Sequence, residues 1–331
     1  MLATTRLSLI LGGGLGVGVV AALTAYAGFG AVYGALDDVG WLGLAWVCML
    51  QLGSMAFCAA AWRSVADNTS FMQCLTARFI RDGVSNLARI VPALGEVAGA
   101  RALSLLGATA GIAAASTVVD AALEALAQAI YTMAGLVPLV LLVQPGQATR
   151  WLLAIAVAIA PIFAVFAVTR RRGALLAAEQ IIVRIARALG FGGAGESLDL
   201  TRNVLGIYQK RRRVWLALLL HLAGWFMSAV QLWAAAQALD HPLSPGEALA
   251  LQSIAFAARG AFFFVPAGFG IQEGTFVLVG AVLGVDPAIA VALSLVLRAR
   301  DIVLGLPALM VWYTAEGRHR LRAVRVPTRG Q

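Results

Sequence analysis

The chain has 331 residues, of which 61% are hydrophobic and 12% charged, and its formal net charge is +9 at pH 7. A soluble domain carries roughly one quarter charged residues, so the composition excludes an ordinary soluble protein and points to a polytopic membrane protein without a soluble domain of any size. The excess charge is no nucleic-acid footprint: the basic residues gather at 169–214 ("TRRRG…QKRRRV") and in the tail "RHRLRAVRVPTRGQ". There they flank apolar runs as cytoplasmic loops do, placed to touch anionic lipid heads as well.

Apolar runs near twenty residues, about the length that spans a hydrocarbon core, predict spans at about 7–27, 41–62, 110–143, 151–169, 214–238 and 287–312. The first follows Arg6 and ends near "AYAG", a pattern shared with signal peptides. Its length and the small residues Gly12, Gly14, Gly16 and Gly18, spaced for close helix packing, favour a retained span. The third span is overlong and is expected to bend or tilt near Gly135 and Pro138. The loop after the first span holds Asp37 and Asp38 and no Lys or Arg, whereas the central connector and the tail are strongly basic. The positive-inside bias therefore places both termini and the connector in the cytoplasm. Within the connector, "ALLAAEQIIVRIARALG" reads as an amphipathic helix on the membrane surface. Ser197, in the following "GFGGAGES", is placed to cap a short helix. Cys48, Cys58 and Cys74 lack paired spacing, and His221, His241 and His319 are scattered. Neither a disulfide, a metal site nor a catalytic constellation is predicted.

Residues 70–107 and 247–284 do not read as simple spans. Each has a helix-length arm, a Pro/Gly break and a second arm, which predicts two re-entrant helical hairpins, the first entering from the cytoplasm and the second from outside. Val91-Pro92-Ala93 and Val265-Pro266-Ala267 mark the breaks. Gly95-Glu96 and Gly99 follow the first break, and Gly268, Gly270 and Glu273-Gly274 follow the second. Each hairpin leads into a spanning segment with an acid inside it, Asp120 and Asp301, at separations of about 175 to 181 residues. The expected fold is all-α, with about six transmembrane helices plus two opposed re-entrant hairpins in an inverted repeat. It is one integral membrane domain over 1–331: repeat half one at about 70–143, a basic connector at about 170–213, and half two at about 247–312. Paired Pro/Gly-interrupted segments of this kind point to a transport site near the midplane. Broken backbone at that depth survives only where protein or a wet cavity satisfies it.

The span "AIAVALSLVLRARDIVLGLPALMVW" (288–312) holds Arg298, Arg300 and Asp301 near its middle. Each such charge costs about 2.5 to 3.5 kcal/mol at the bilayer centre, or roughly 8 to 10 for three. The dozen Leu, Ile and Val residues around them return roughly 4 to 7 kcal/mol. This segment must therefore face protein or water. Arg298 and Asp301 lie three apart on one helical face and are expected to pair, with Glu273 the natural partner of Arg300. In the first half, Asp120 and Glu124 share a face four residues apart and are expected to hold Arg89 or Arg101. Arg81 and Asp82 remain open between a buried role and a solvated mouth. Counting Arg81, Arg89, Arg101, Arg259, Arg298 and Arg300 against Asp82, Glu96, Asp120, Glu124, Glu273 and Asp301 gives a balanced interior. Such an interior fits an amphipathic molecule whose head needs polar contacts while its tails stay in lipid. The charged residues expected to line a substrate cavity are Arg89, Glu96, Arg101, Asp120, Glu124, Arg259, Glu273, Arg298, Arg300 and Asp301. Pro92, Gly95, Gly99, Pro266, Gly268, Gly270 and Gly274 are expected to shape the hairpins.

Pro92, Gly95, Glu96 through Arg101, the "VPAGFGIQEG" stretch and "RARD…GLP" resemble the flippase-like membrane family that shares its fold with the transmembrane region of lysylphosphatidylglycerol synthase, the multiple peptide resistance factor. The resemblance covers about residues 40 to 312. Within that family, "GEVAGARAL", "ASTVVDAALEALAQ" and "FGIQEGTFVLVGA" are most similar to the hopanoid-biosynthesis-associated HpnL-type proteins. The resemblance implies lipid movement or handling in the bacterial inner membrane, without a cofactor. It carries over Glu273, Arg298, Arg300 and Asp301 as members of a lipid-head cavity, with Gly268, Gly270 and Gly274 shaping the hairpin. The synthase's soluble aminoacyl-transfer domain has no counterpart here, so lysyl transfer is not expected. The expected partner is a membrane lipid (hopanoid, phospholipid or polyprenyl lipid) and not nucleic acid; a homo-oligomer and lipid-synthesis enzymes stay open as further partners. A lipid-modifying membrane enzyme and a scaffold for lipid-synthesis enzymes stay open as alternative functions.

Overall fold

The computed structural model describes residues 29–87, 93–142, 200–262 and 270–325. The expected spans at 7–27 and 151–169, the amphipathic connector helix and both proline breaks, with Arg89, Pro92, Pro266 and Gly268, lie outside those residues. Among the described residues the chain forms nine α-helices and no strand: α1 (Phe29–Val65), α2 (Phe71–Leu87), α3 (Leu94–Leu105), α4 (Ala110–Leu142), α5 (Leu200–Gln209), α6 (Arg211–Ala238), α7 (Pro245–Ala261), α8 (Ile271–Val282) and α9 (Pro287–Arg325).

Among the described residues, three stretches are long and apolar enough to cross a membrane: Val39–Val65 of α1, Ala110–Leu141 of α4 and Arg211–Ala238 of α6. They coincide with three of the expected spans. The first starts where α1 turns at Gly40, whose φ of 56° a side chain would resist. The expected overlong span is a single helix, α4, with Pro138 inside it. The expected span at 287–312 lies in α9, which continues to Arg325 and holds Pro307. Its mid-helix charges keep α9 out of the apolar set.

Helices α2 and α3, then α7 and α8, occupy the two segments read as hairpins. Local chemistry sets their ends. Ser70 and Gln73 bond reciprocally at the start of α2, as Ser244 and Glu247 do at α7, where Pro245 takes the first turn. The second arms begin alike, each after a left-handed residue, Ala93 (φ 64°) and Gly270 (φ 79°). Each then has a glutamate three positions on, Glu96 and Glu273. The α3 helix returns to the start of α2, where Gln73 Nε2 donates to Leu106 O at 2.7 Å.

Helices α1 and α6 pack antiparallel. Ser64 of α1 donates to Arg213 O, Ser54 donates to Gly224 O, and a Cβ built on Gly43 would meet Ala238 at 3.2 Å. This pairing defines two ends of the molecule. The α1–α2 loop and the start of α6 share one end, where Lys210 and Arg213 hold Asp67. The end of α6 and the start of α7 form the other, and Gly246 there packs on Pro138 of α4. The α2–α3 pair thus starts at one end and the α7–α8 pair at the opposite one.

Each end has its own apolar cluster. Trp62, Ile80, Leu103, Leu123 and Leu200 anchor the basic end, and Leu139, Leu232, Leu251, Phe276 and Leu293 anchor the other. Close packing relies on missing side chains. A Cβ on Gly83 of α2 would lie 2.5 Å from Ala308 Cβ and 3.2 Å from Gly305 O of α9. Gly83→Ala is expected to cost about 1 to 3 kcal/mol by overpacking. Ala308→Gly in the same chain is expected to restore most of it, which thermal unfolding in detergent would show. Equal melting of the single and double variants would mean that α2 and α9 do not touch there.

Candidate functional site

Between the two apolar clusters the same helices turn polar. Along α1 the clusters take Ala59 to Val65 and Val39 to Val47, while Gln51, Ser54 and Cys58 between them line a cavity of about 300 Å³. On α4 Glu124 and Gln128, and on α6 Gly224, Trp225 and Ser228, occupy the same level. The wall is completed by Arg78, Arg81, Asp82, Ser85 and Asn86 of α2, Glu96 of α3, Phe256 and Arg259 of α7, and Arg300 and Asp301 of α9. A larger recess of about 800 Å³ at the basic end is lined by Val65, Ile112 and residues of α5. It touches neither charged network described below, so the mid-depth cavity is the candidate site.

The first network joins α2, α3, α4 and α6. Arg81 reaches Asp120 (3.1 Å), Glu96 (3.1 Å) and Glu124 (2.8 Å). Arg78 pairs with Asp82 through Nε and with Glu124 through both terminal nitrogens. Asp120 also lies 2.9 Å from His221 Nε2 of α6, as acceptor of the ring N–H. Asp120, His221 and both arginines are buried. Glycines make room for this: a Cβ on Gly95 would lie 2.8 Å from Arg81 O, and one on Gly99 would lie 3.0 Å from Arg81 Cβ. Gly95 and Gly99 therefore let α3 press against α2 at Arg81.

The second network joins α6, α7, α8 and α9. Arg298 pairs with Glu273 at 3.0 Å, whose other oxygen accepts the Gly270 N–H at 2.8 Å. Arg300 pairs with Asp301 at 2.7 Å and donates to Gln231 of α6. Arg259 donates to Gln272 at 3.0 Å and lies over the Phe256 ring at 5.8 Å.

Several expected pairings change. Arg298 takes Glu273 and Arg300 takes Asp301, the reverse of the assignment from spacing, because α8 lays Glu273 beside Arg298 while the Arg300 arm folds back on its neighbour. Asp120 and Glu124 do share a face, but hold Arg78 and Arg81. Arg101 instead reaches Glu316 near the end of α9, at 3.2 Å. Arg81 is buried in the network and is not a solvated mouth residue. Of the expected cavity residues, Glu96, Glu124, Arg259, Arg300 and Asp301 line the cavity. Asp120 is a buried member of the first network outside the lining, and Glu273, Arg298 and Arg101 pair away from the lining. Gly274 has open space where a Cβ would go.

His221, read from the sequence as one of three scattered histidines, lies among polar partners. It contacts Asp120, and its ring, the Cys58 thiol and the Glu124 carboxylate present ligand-type atoms within 4.8 Å of one another. Arg78, Cys58 and His221 escaped sequence reasoning. Only Arg78 left a local signal, its four-residue spacing to Asp82. At the basic end, the hydrogen bond from Lys210, followed by the charges of Lys210 and Arg213, holds the Asp67 carboxyl below the usual carboxylate range.

A family model described as the lysylphosphatidylglycerol synthase TM region matches residues 9–308. No curated protein and no solved structure matches the chain. The match spans nearly the whole chain, including every helix that builds the cavity, and so the protein is a membrane protein that belongs to the family of the lysylphosphatidylglycerol synthase transmembrane region.

Proposed function

We propose that this protein moves lipids between the leaflets of a bacterial inner membrane as a flippase-type transporter, serving hopanoid or related lipids. The observation that carries this reading is the mid-depth cavity, into which charged residues of both helix pairs open. About 300 Å³ suits a lipid head group but not a whole lipid, so the tails stay in the bilayer. The helix pairs start from opposite ends, which supports their reading as opposed re-entrant hairpins of an inverted repeat. The head passes beside one pair, meets Arg300, Asp301 and Arg259 at mid-depth, and leaves beside the other. The sequence resemblance to HpnL-type proteins supports the hopanoid class, and the basic connector and tail support cytoplasmic termini.

Proteoliposomes containing tail-labelled phospholipid, or a labelled hopanoid lipid, test this by the fraction of label reached by an external quencher over time. Wild-type protein is expected to raise the rate above that of protein-free vesicles. Arg300→Met and Asp301→Asn are expected to lose about tenfold or more of that increment, with elution and melting of the variants checked beside it. Wild-type protein that moves none of these lipids would sink the reading.

A further inference from the structure

We propose that Cys58, Glu124 and His221 form a binding site for a divalent transition metal of the zinc class, with its fourth position open to the cavity. The three residues come from α1, α4 and α6, and their ligand-type atoms lie within 4.8 Å of one another. A thiol and an imidazole with a carboxylate are the donor set that zinc takes.

Three further observations point to a ligand at this place. The first is His221: its side chain is fully buried, Nε2 is spent on Asp120 at 2.9 Å, and Nδ1 has no partner in good hydrogen-bond geometry, although the Cys58 thiol is close enough to interact with the ring. A sealed, unsatisfied ring nitrogen needs an explanation. An imidazole whose far nitrogen is held by a carboxylate is the usual arrangement of a metal-bound histidine. Asp120 would fix the ring, leaving Nδ1 to the metal.

The second is charge. Arg78 and Arg81 face four carboxylates: Asp82, Glu96, Asp120 and Glu124. A dication therefore lowers the local charge imbalance even beside two arginines. The arginines also leave room on Glu124. Its Oε2 meets both Arg78 and Arg81, while Oε1 meets Arg78 alone, and a carboxylate oxygen accepts roughly two bonds.

The third is space. A Cβ on Gly224 would lie 2.9 Å from Cys58 Sγ, so the glycine keeps the thiol's position on the α6 side clear. Cys58 and Glu124 both line the cavity, so the remaining coordination position faces the path proposed for the head group. A metal there would tie the three spanning helices together and offer a Lewis acid to a phosphate oxygen. The site stands on its own geometry, whichever lipid passes.

The full chain, purified in detergent and stripped with chelator, is titrated with Co²⁺ and Zn²⁺. One equivalent of Co²⁺ per chain is expected, with a thiolate-to-cobalt absorption band that Zn²⁺ displaces. Cys58→Ser is expected to lose the band, whereas Cys48→Ser with Cys74→Ser keeps it. Asp120→Asn is expected to weaken binding by about 10- to 100-fold. A measurement on wild-type protein guards against variants that fail to fold: alkylation of the three free cysteines, read by mass spectrometry, with and without Zn²⁺. Zn²⁺ is expected to protect Cys58 and leave Cys74, also buried, unchanged. Sub-stoichiometric uptake, a band that survives Cys58→Ser, or Cys58 alkylation indifferent to Zn²⁺ would each overturn the site.

Discussion

Arg81→Met is expected to destabilise the protein by about 3 to 5 kcal/mol, the cost of removing one partner from a buried ion network. Methionine keeps the side chain's apolar bulk, so the loss is electrostatic. Arg81 serves Asp120, Glu96 and Glu124 at once. Without it Glu96 loses its ion-pair partner, and Asp120 keeps His221 with Arg78 only at 3.9 Å. Four carboxylates, Asp82 included, would then be left with the Arg78 guanidinium. Adding Glu96→Gln to Arg81→Met removes one of the stranded charges and is expected to recover part of the loss. Arg101→Met is the control. Its pair with Glu316 is about one fifth exposed on both sides, and a single, partly exposed pair contributes less than a fully buried network. Thermal unfolding in detergent, followed by size-exclusion of the soluble fraction, separates the cases. An Arg81→Met protein that melts with Arg101→Met would show that the network does not hold α2, α3 and α4 together.

What could be read from the sequence follows the range of the forces involved. Apolar length and local breakers act within one segment. The breaks read at Val91-Pro92-Ala93 and Val265-Pro266-Ala267, within the segments 70–107 and 247–284, therefore placed α2, α3, α7 and α8 within a few residues. The same locality explains why Asp120 and Glu124 could be set on one face. Partner choice is tertiary. Arg298 and Asp301 satisfy the three-residue spacing of a helical pair, yet Glu273 and Gln231 arrive from other helices and redistribute the contacts. A guanidinium on a long stem reaches several carboxylates, and spacing alone cannot rank them. His221 meets Asp120 across 101 residues of sequence, so no periodicity could expose it. The glycines divide similarly. Gly95 and Gly99 earn their place through Arg81 and Trp62, contacts that become visible only once α3 has folded back on α2.

Glu273→Gln is expected to cost about 3 to 5 kcal/mol, and Arg298→Met in the same chain to bring stability back to within about 1 kcal/mol of wild type, because replacing both members of a buried pair by less polar groups is often neutral. Glutamine retains an oxygen for the Gly270 N–H, so the start of α8 stays capped and the loss in the single variant reports the carboxylate's service to Arg298. This pair decides between two roles for intramembrane charge. Glu273 and Arg298 pair with each other and are not part of the cavity lining, whereas Arg300 and Asp301 are. The restored double variant is therefore expected to move labelled lipid in proteoliposomes at close to the wild-type rate, while Arg300→Met does not, even at matched melting temperature. Lipid movement lost in a fully restored double variant would place the Glu273–Arg298 pair in the path itself. The head group would then have to displace a buried ion pair to pass, and the barrier would depend on how far α8 can draw away from α9.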